Sequence, residues 1–354
     1  MRILFLGATH PSTTARHRAD ALVRLGHEVK CKDPYMAMRQ SMLFRKFAWL
    51  HYRTGYRLLQ PRIRKLCREW VREHRGQFNP DLIWVESGEF FGASALDILK
   101  TLNKPVVLFN HDDPTGPRDF ARFRSLVSAL PKYDVVAAVR DESEAEMRAI
   151  PCRQVVRIWR SYDEVAHHPL YDDESLDKRF ESDVCFIGTW IRHEKRDEFL
   201  CGLIARGINV AIWGDRWQKS PLWASLKDHW RGTSLSGRDY VAAISGAKVC
   251  LGLLSKGNRD LHTTRTMEIP YAGGLLCAER TPEHQQLYVE GEEAEFWSSV
   301  DECASKCLAL LADPARCERI RAAGMKRVRA NAVGNEDACR TLLEAASSLP
   351  VRRS

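Results

Sequence analysis

One arrangement occurs twice in this chain: an apolar run closed by glycine, a polar loop, an amphipathic stretch closed by glycine, and a second apolar run. The first copy runs from Arg2 to Gly7, through Ala15–Leu25 and Gly26, to His27–Lys30. The second runs from Asp183 to Gly188, through a helix ending at Gly207, to Asn209–Trp213 and Gly214. A strand that feeds a helix and returns to a parallel strand is the unit of a doubly wound α/β sheet. Two such series therefore predict two doubly wound, Rossmann-like α/β domains, and 354 residues are enough for two cores. The loop after Gly7 lacks the second and third glycines of a dinucleotide fingerprint.

Between the two copies, strands at Asp81–Val85, Pro105–Phe109, Asp134–Val139 and Val155–Ile158 alternate with helices at Ala93–Thr101, Ser125–Leu130 and Ser143–Ala149. The polar stretch Arg160–Asp177 reads as an interdomain linker. The expected domains are residues 1–165, with a helical insertion at 36–76, and residues 166–334. A C-terminal helix in 335–354 is expected to return to the first domain. Ligands of such sheets bind outside the carboxyl ends of the strands, so two of them are expected to face a cleft.

Charge is concentrated in the insertion. Residues 36–76 hold eleven Lys and Arg against Glu69 and Glu73, while the whole chain is only +8. Aromatics such as Phe44, Phe47, Trp49 and Tyr52 interleave with these cations, and Gly55 and Pro61 are expected to interrupt the helix. Three readings stay open: a solvated helical face, a surface for an anionic membrane or lipid phosphate, or a nucleic-acid groove. The last lacks a nucleic-acid fold to accompany it. The eleven cysteines are scattered without a CxxC pair, and Cys303 and Cys307 have no His or second pair nearby in sequence. Buried free thiols are expected, with no disulfide framework and no metal site. No apolar run approaches the ~18 residues of a membrane span. The first residues enter a strand pattern without the apolar core of a secretory signal, so a cytoplasmic location is expected, possible attachment to the inner face of the membrane included.

The stretch Leu253–Ala278 carries the clearest chemistry. An apolar strand ends at Leu254, a polar loop covers Ser255–His262, and Thr263 and Thr264 can start a helix. Arg265 and Glu268 share one face of that helix, which stops at Gly273–Gly274 before a new strand. A helix start with free amides, a cation and a carboxylate suits a nucleotide diphosphate. A plain i,i+3 ion pair on a surface helix has the same spacing.

Three segments resemble the group-1 glycosyltransferases of two-Rossmann (GT-B) fold, nearest their spore-maturation-protein-like (CgeB-like) branch. They are Asp183–Thr189 with Arg196, Trp213–Trp217, and above all Arg265–Gly274. Tyr162–Asp163 and His168–Pro169 are similar to that branch's interdomain segment. The likeness is specific over Asp183–Val328 and architectural before it.

This resemblance implies transfer of a sugar from a nucleotide-diphosphate sugar, held by the second domain, to a glycan or glycolipid of the cell envelope. It assigns Glu268 to the ribose, and the amides near Thr263, Thr264 and Arg265 to the diphosphate. Arg192, Arg196 and Lys256 would neutralise the leaving group, with Gly188 and Gly214 at strand ends and Arg231 and Gly232 beside the base. Many retaining members carry two glutamates with seven residues between them. Here Asp260 stands in the first place, a shorter side chain beside the donor sugar, and a retaining outcome is expected. No paired acids resemble a metal-binding DxD site, so neither metal nor other cofactor is expected. On the acceptor side, Glu86 follows a strand directly and His10, His111 and Asp112 lie in loops after strands, with Asp113 beginning a turn. Two other readings share the donor seat: a nucleotide-sugar epimerase or hydrolase, and a non-catalytic nucleotide-sugar-binding protein.

Overall fold

The computed structural model describes the chain except residues 41, 77, 120, 172–174 and 350–354. The acids at 172–174 and the last five residues of the expected C-terminal segment thus lie outside the described residues. The chain divides into two compact units, Met1–Trp159 with Asn335–Ser354, and Arg160–Gly334.

The first unit is built on six strands: β1 (Arg2–Leu6), β2 (Glu28–Lys32), β3 (Leu82–Glu86), β4 (Val106–Phe109), β5 (Val135–Ala138) and β6 (Val155–Arg157). All pair in parallel, in the order β2-β1-β3-β4-β5-β6. The central strands are apolar at nearly every position because helices cover both faces. Alternate side chains enter different cores. Leu4, Ile83, Leu108 and Val136 meet Ile63, Cys67 and Trp70 of the helix Gln60–His74. Phe5, Trp84, Phe109 and Val135 meet the helix Thr14–Arg24 and the C-terminal helix Asn335–Ser347.

The insertion is a run of short helices, Pro34–Arg39, Met42–Lys46 and Ala48–Arg53, followed by Gln60–His74. Gly55 breaks the run: its φ is +61°, and a Cβ there would lie 2.6 Å from the Ala121 carbonyl oxygen. Pro61 does not break it, contrary to expectation. It sits in the first turn of Gln60–His74, where a missing N–H leaves no bond unmade.

The second unit has β7 (Ser182–Ile187), β8 (Val210–Trp213), β9 (Trp230–Gly232), β10 (Ala247–Gly252), β11 (Leu276–Glu279) and β12 (Glu295–Trp297). They form a parallel sheet in the order β12-β11-β10-β7-β8-β9. The edge strands β9 and β12 are three residues each, Trp-Arg-Gly and Glu-Phe-Trp, and carry no β-branched run that marks a strand in sequence.

The stretch expected as a linker packs into this unit from its first residue. Tyr162 stacks on Tyr271 with ring centroids 3.8 Å apart, and Tyr271 Oη donates to the Glu164 carbonyl at 2.9 Å. Arg160 is buried and pairs with Asp260 at 3.0 Å. Over its first residues, Arg160, Ser161 and Asp163 are buried polar side chains, while Tyr171, Ser175 and Asp177 are exposed.

The helix Thr264–Tyr271 contains Pro270, which cannot donate to the carbonyl of Thr266 one turn back. Tyr288 Oη donates to that carbonyl at 2.7 Å and replaces the missing bond. Tyr288→Phe should therefore cost about 1–3 kcal/mol in denaturant unfolding, the penalty of a buried unsatisfied carbonyl. An unchanged unfolding midpoint would contradict this account of how the helix tolerates its proline.

Candidate functional site

The carboxyl ends of β7, β8 and β9 close on glycine, and at Gly214 the reason is a backbone contact. A Cβ at Gly214, whose φ is +145°, would lie 2.1 Å from the Gly188 carbonyl oxygen. One at Gly232 would meet the Trp213 ring at 3.0 Å. Indole N–H groups fix the two glycine carbonyls, Trp217 to Gly188 at 2.9 Å and Trp230 to Gly214 at 3.0 Å. Trp213 and Trp217 are buried, so they are framework to this edge.

Glu268 lies on the helix that starts beside this edge and is 6% exposed. Tyr240 Oη donates to its Oε2 at 2.6 Å, and His167 Nε2 stands 3.6 Å from its Oε1. The Asp163 amide donates to His167 Nδ1 at 2.8 Å, so in the neutral ring the proton sits on Nε2 and faces the carboxylate. Burial first, and then Glu268, hold the Tyr240 hydroxyl well above the ordinary tyrosine pKa, so it stays a donor. A carboxylate has about four acceptor positions, and these two neighbours leave room for further donors. Arg265 does not pair with Glu268; its Nε donates to the Ile187 carbonyl at 2.5 Å. The surface ion pair that the spacing alone allowed is therefore not formed.

The start of the same helix is fixed from below. The Thr263 amide donates to Thr266 Oγ1 at 3.0 Å, and Thr266 Oγ1 lies 2.9 Å from His284 Nε2. His284 Nδ1 lies 2.6 Å from the Glu279 carbonyl, which can only accept. The proton is therefore on Nδ1, and Thr266 donates to Nε2.

The cations expected around a diphosphate divide. Arg192 is exposed and, among the described residues, forms no ion pair. Arg196 donates to the carbonyls of Thr189 at 2.9 Å and Leu254 at 3.3 Å, joining the loops after β7 and β10. Lys256 Nζ is 3.2 Å from Glu279. Glu194, which the sequence reading did not single out, accepts from the amides of Lys256 at 2.9 Å and Gly257 at 3.3 Å, and from Ser255 Oγ at 3.1 Å. A pocket of about 380 Å³ opens beside these loops, lined by Arg196, Lys256, Glu279 and Trp297 among others.

Two expected donor contacts fall elsewhere. Arg231 lines a depression with Ser182, Asp183 and Asn209 at the amino ends of β7 and β8, the opposite edge of the sheet from Gly188 and Gly214. Asp260 is buried in its ion pair with Arg160, whose amide in turn donates to His262 Nε2 at 3.1 Å.

In the first unit, Glu86 is 2% exposed and lies under Arg18, whose Nη2 reaches its Oε1 at 2.7 Å, while Trp84 Nε1 reaches its Oε2 at 3.2 Å. Arg18 also donates to Asn335 at 3.0 Å and lies 3.6 Å over the Phe109 ring. This buried pair ties the first and last helices to β3. His10 is exposed and bonded through Nδ1 to Ser12 Oγ at 2.8 Å. His111 and Asp112 are half-buried, with their carbonyls held by Arg140. Asp113 accepts from Ser143 at 3.1 Å and occupies the turn to Gly116. Asp112 Oδ2 lies 3.7 Å from Arg122, which bonds buried Glu89 at 2.5 Å. Burial opposes the Arg122 charge, but Glu89 and Asp112 outweigh it and hold its pKa above the ordinary arginine value.

All eleven cysteines are free thiols. Cys277 of β11 meets Cys303 and Cys307 of the helix Val300–Ala312, with the three sulfurs within 4.8 Å of one another inside the apolar core. Among the described residues this is the group close enough to ligate a metal. Sequence spacing showed only the helical pair.

A family profile described as Glycosyl transferase-like matches residues 192–341, and one described as Glycosyltransferase Family 4 matches residues 12–164. No curated protein matches the chain significantly. Among solved structures, the chain is similar to sucrose-phosphate synthase from Thermosynechococcus elongatus at 15% identity and TM-score 0.68, covering 97% of this chain and 98% of that one. It is similar to Anabaena HepE in complex with UDP at 14% identity and TM-score 0.66, over 99% and 100%. A Listeria monocytogenes protein named for UDP-N-acetylglucosamine 2-epimerase follows at 12% and 0.62, over 98% and 96%. Two parallel six-stranded sheets and these matches define a GT-B fold. With a glycosyltransferase profile on each half, the chain is a glycosyltransferase.

Burial holds the His284 pKa below the ordinary value, the chief cause among those acting on it. For a depressed histidine the folded state resists protonation, so its contribution is full above the unfolded pKa of about 6.5 and declines as pH falls below that. His284→Gln keeps a donor and an acceptor and should remove up to one proton's worth of the acid slope, ~1.4 kcal/mol per pH unit. Denaturant unfolding of both proteins between pH 7 and pH 5 measures this, and parallel slopes would contradict it.

Proposed function

We propose that the second unit holds a UDP-sugar, that the first holds a glycan or lipid-linked glycan of the cell envelope, and that transfer proceeds with retention. The observation that carries this reading is the buried Glu268 carboxylate, steadied by Tyr240 and His167 beside the start of the Thr264–Tyr271 helix. The ribose hydroxyls would donate to its remaining acceptor positions. The first amides of the helix, near Thr263, Thr264 and Arg265, would meet the diphosphate, where the helix dipole favours negative charge. The complex of HepE with UDP on the same fold favours uridine as the base. The Arg265–Gly274 segment favours the spore-maturation-protein-like branch.

In the reaction, the bond from the anomeric carbon to the diphosphate oxygen breaks, and the acceptor hydroxyl oxygen bonds to the same face of that carbon. The hydroxyl proton passes to the departing phosphate oxygen. Arg192, uncommitted among the described residues, and Lys256 and Arg196 would compensate the charge that develops on the diphosphate. These cations do the work that a divalent ion does elsewhere, which favours metal independence. Asp112, engaged by Arg122, and His10, engaged by Ser12, suit holding an acceptor better than taking its proton. Asp260, bound to Arg160, would shape the donor-sugar side of the loop through that pair. The reaction would run in the cytoplasm, where nucleotide sugars are supplied.

The Listeria neighbour gives an epimerase reading on the same fold a specific footing. Incubation with a panel of UDP-sugars, with and without envelope glycan acceptors and with chelator present, separates the readings. Transfer that needs acceptor and survives chelation supports the proposal; epimerisation or hydrolysis without acceptor replaces it, and binding without turnover makes the protein a sensor. Glu268→Gln should lower transfer on the order of 100-fold, the loss of two hydrogen bonds to a charged group. It should also abolish the thermal stabilisation by UDP; wild-type activity in this variant would remove the central residue of the proposal.

A further inference from the structure

Among the described residues, twelve large apolar side chains stand exposed, and six of them lie between Met36 and Leu58. Met42 is 73% exposed, Trp49 62% and Leu58 61%. They sit on or beside the short helices Pro34–Arg39, Met42–Lys46 and Ala48–Arg53, which follow one another along the chain. Five cations alternate with them: Arg39, Arg45, Lys46, Arg53 and Arg57, all exposed. Among the described residues none of the five forms an ion pair with a carboxylate, while Lys65, further along, has Glu69 at 4.0 Å. Lys46 and Arg53 instead lie over the rings of Phe47 at 5.7 Å and Trp49 at 5.9 Å.

A solvated helical face keeps its charge compensated and its apolar side chains inward, and this surface does neither. From it we infer that residues 36–58 are a docking surface for an anionic phospholipid bilayer, with the cations at the headgroups and Trp49, Met42 and Leu58 entering the interfacial layer. Cations attract the anionic leaflet, and a tryptophan among aliphatic side chains suits the boundary between headgroup and acyl chain. A nucleic acid would satisfy the cations and could stack on Trp49, but it offers nothing to Met42 or Leu58. The remaining cations of the insertion extend the same sign of charge along the exposed side of Gln60–His74, where Arg62, Lys65, Arg68 and Arg72 lie. The consequence for the acceptor, a lipid-linked one met at the membrane, rests on the transferase reading; the lipid contact itself stands on the surface alone.

The test is co-sedimentation of the full chain with vesicles of phosphatidylcholine alone and of phosphatidylcholine with phosphatidylglycerol. Binding is expected to the anionic vesicles only and to weaken as salt is raised. The triple variant Arg45→Gln, Lys46→Gln, Arg53→Gln should bind on the order of 100-fold more weakly, at about fivefold per cation. Brominated lipid should quench the wild type and quench Trp49→Phe distinctly less, which reads insertion and not charge. Both variants should keep the wild-type melting temperature and its rise with UDP, so a failure of lipid binding is distinguishable from a failure of donor binding. Equal or negligible sedimentation with the two kinds of vesicle would overturn the inference. So would quenching that Trp49→Phe leaves unchanged, or retention on single-stranded RNA with no lipid binding.

Discussion

A parallel strand can be joined to its neighbour only by a crossover, so every loop that follows a strand emerges at one edge of the sheet. Each unit of this chain is such a sheet with both faces covered, and the constraint sorts its residues. Apolar side chains are drawn into cores on the sheet faces, two of them in the first unit, while glycines, cations and carboxylates collect at the carboxyl edge. In the second unit that edge brings Gly188, Gly214, Lys256 and the start of the Thr264–Tyr271 helix onto one side. The chemistry follows from where the backbone has to turn.

What holds that edge is a set of buried polar contacts whose proton positions are dictated by their neighbours. The Glu279 carbonyl, His284, Thr266 and the Thr263 amide form one chain of donors and acceptors, and Asp163, His167 and Glu268 form another. A third, Arg160 with Asp260 and His262 with Glu283, fixes the loop before the helix. Removing one partner from such a set strands the next one without water, which makes these positions costly to alter. The geometry around Glu268 is thereby set before any ligand arrives, the condition for binding without reorganisation.

Much of the fold was legible because parallel strands buried on both faces are continuous apolar runs, and such runs alternating with amphipathic helices leave few topologies open. The short strands β9 and β12, Trp-Arg-Gly and Glu-Phe-Trp, mix charge with aromatics and were not seen, whereas β6, equally short, showed through Val155, Val156 and Ile158. Glu268 was legible through its setting between a helix start and Gly273–Gly274. Tyr240 and His167 were not, because nothing in a sequence tells which polar side chain crosses the unit to meet a carboxylate. Where Arg231 lies, beside the depression at the amino ends of β7 and β8, was not legible either, because a three-residue strand carries no pattern that places its side chains. The pairing of Glu86 with Arg18 was not legible, because a carboxylate after an apolar strand reads alike whether it faces a ligand or a guanidinium. The cysteine trio joins Cys277 to a helix more than twenty residues later, beyond the reach of spacing rules.

The central claim is that one nucleotide diphosphate sits at the start of the Thr264–Tyr271 helix with its ribose on Glu268. A crystal structure of the protein soaked with UDP tests it most directly. The account predicts density for the ribose hydroxyls within hydrogen-bonding distance of the Glu268 carboxylate and for the diphosphate at the amides of residues 263–265. UDP bound in ordered fashion elsewhere, with Glu268 still enclosed by Tyr240 and His167 alone, would contradict it.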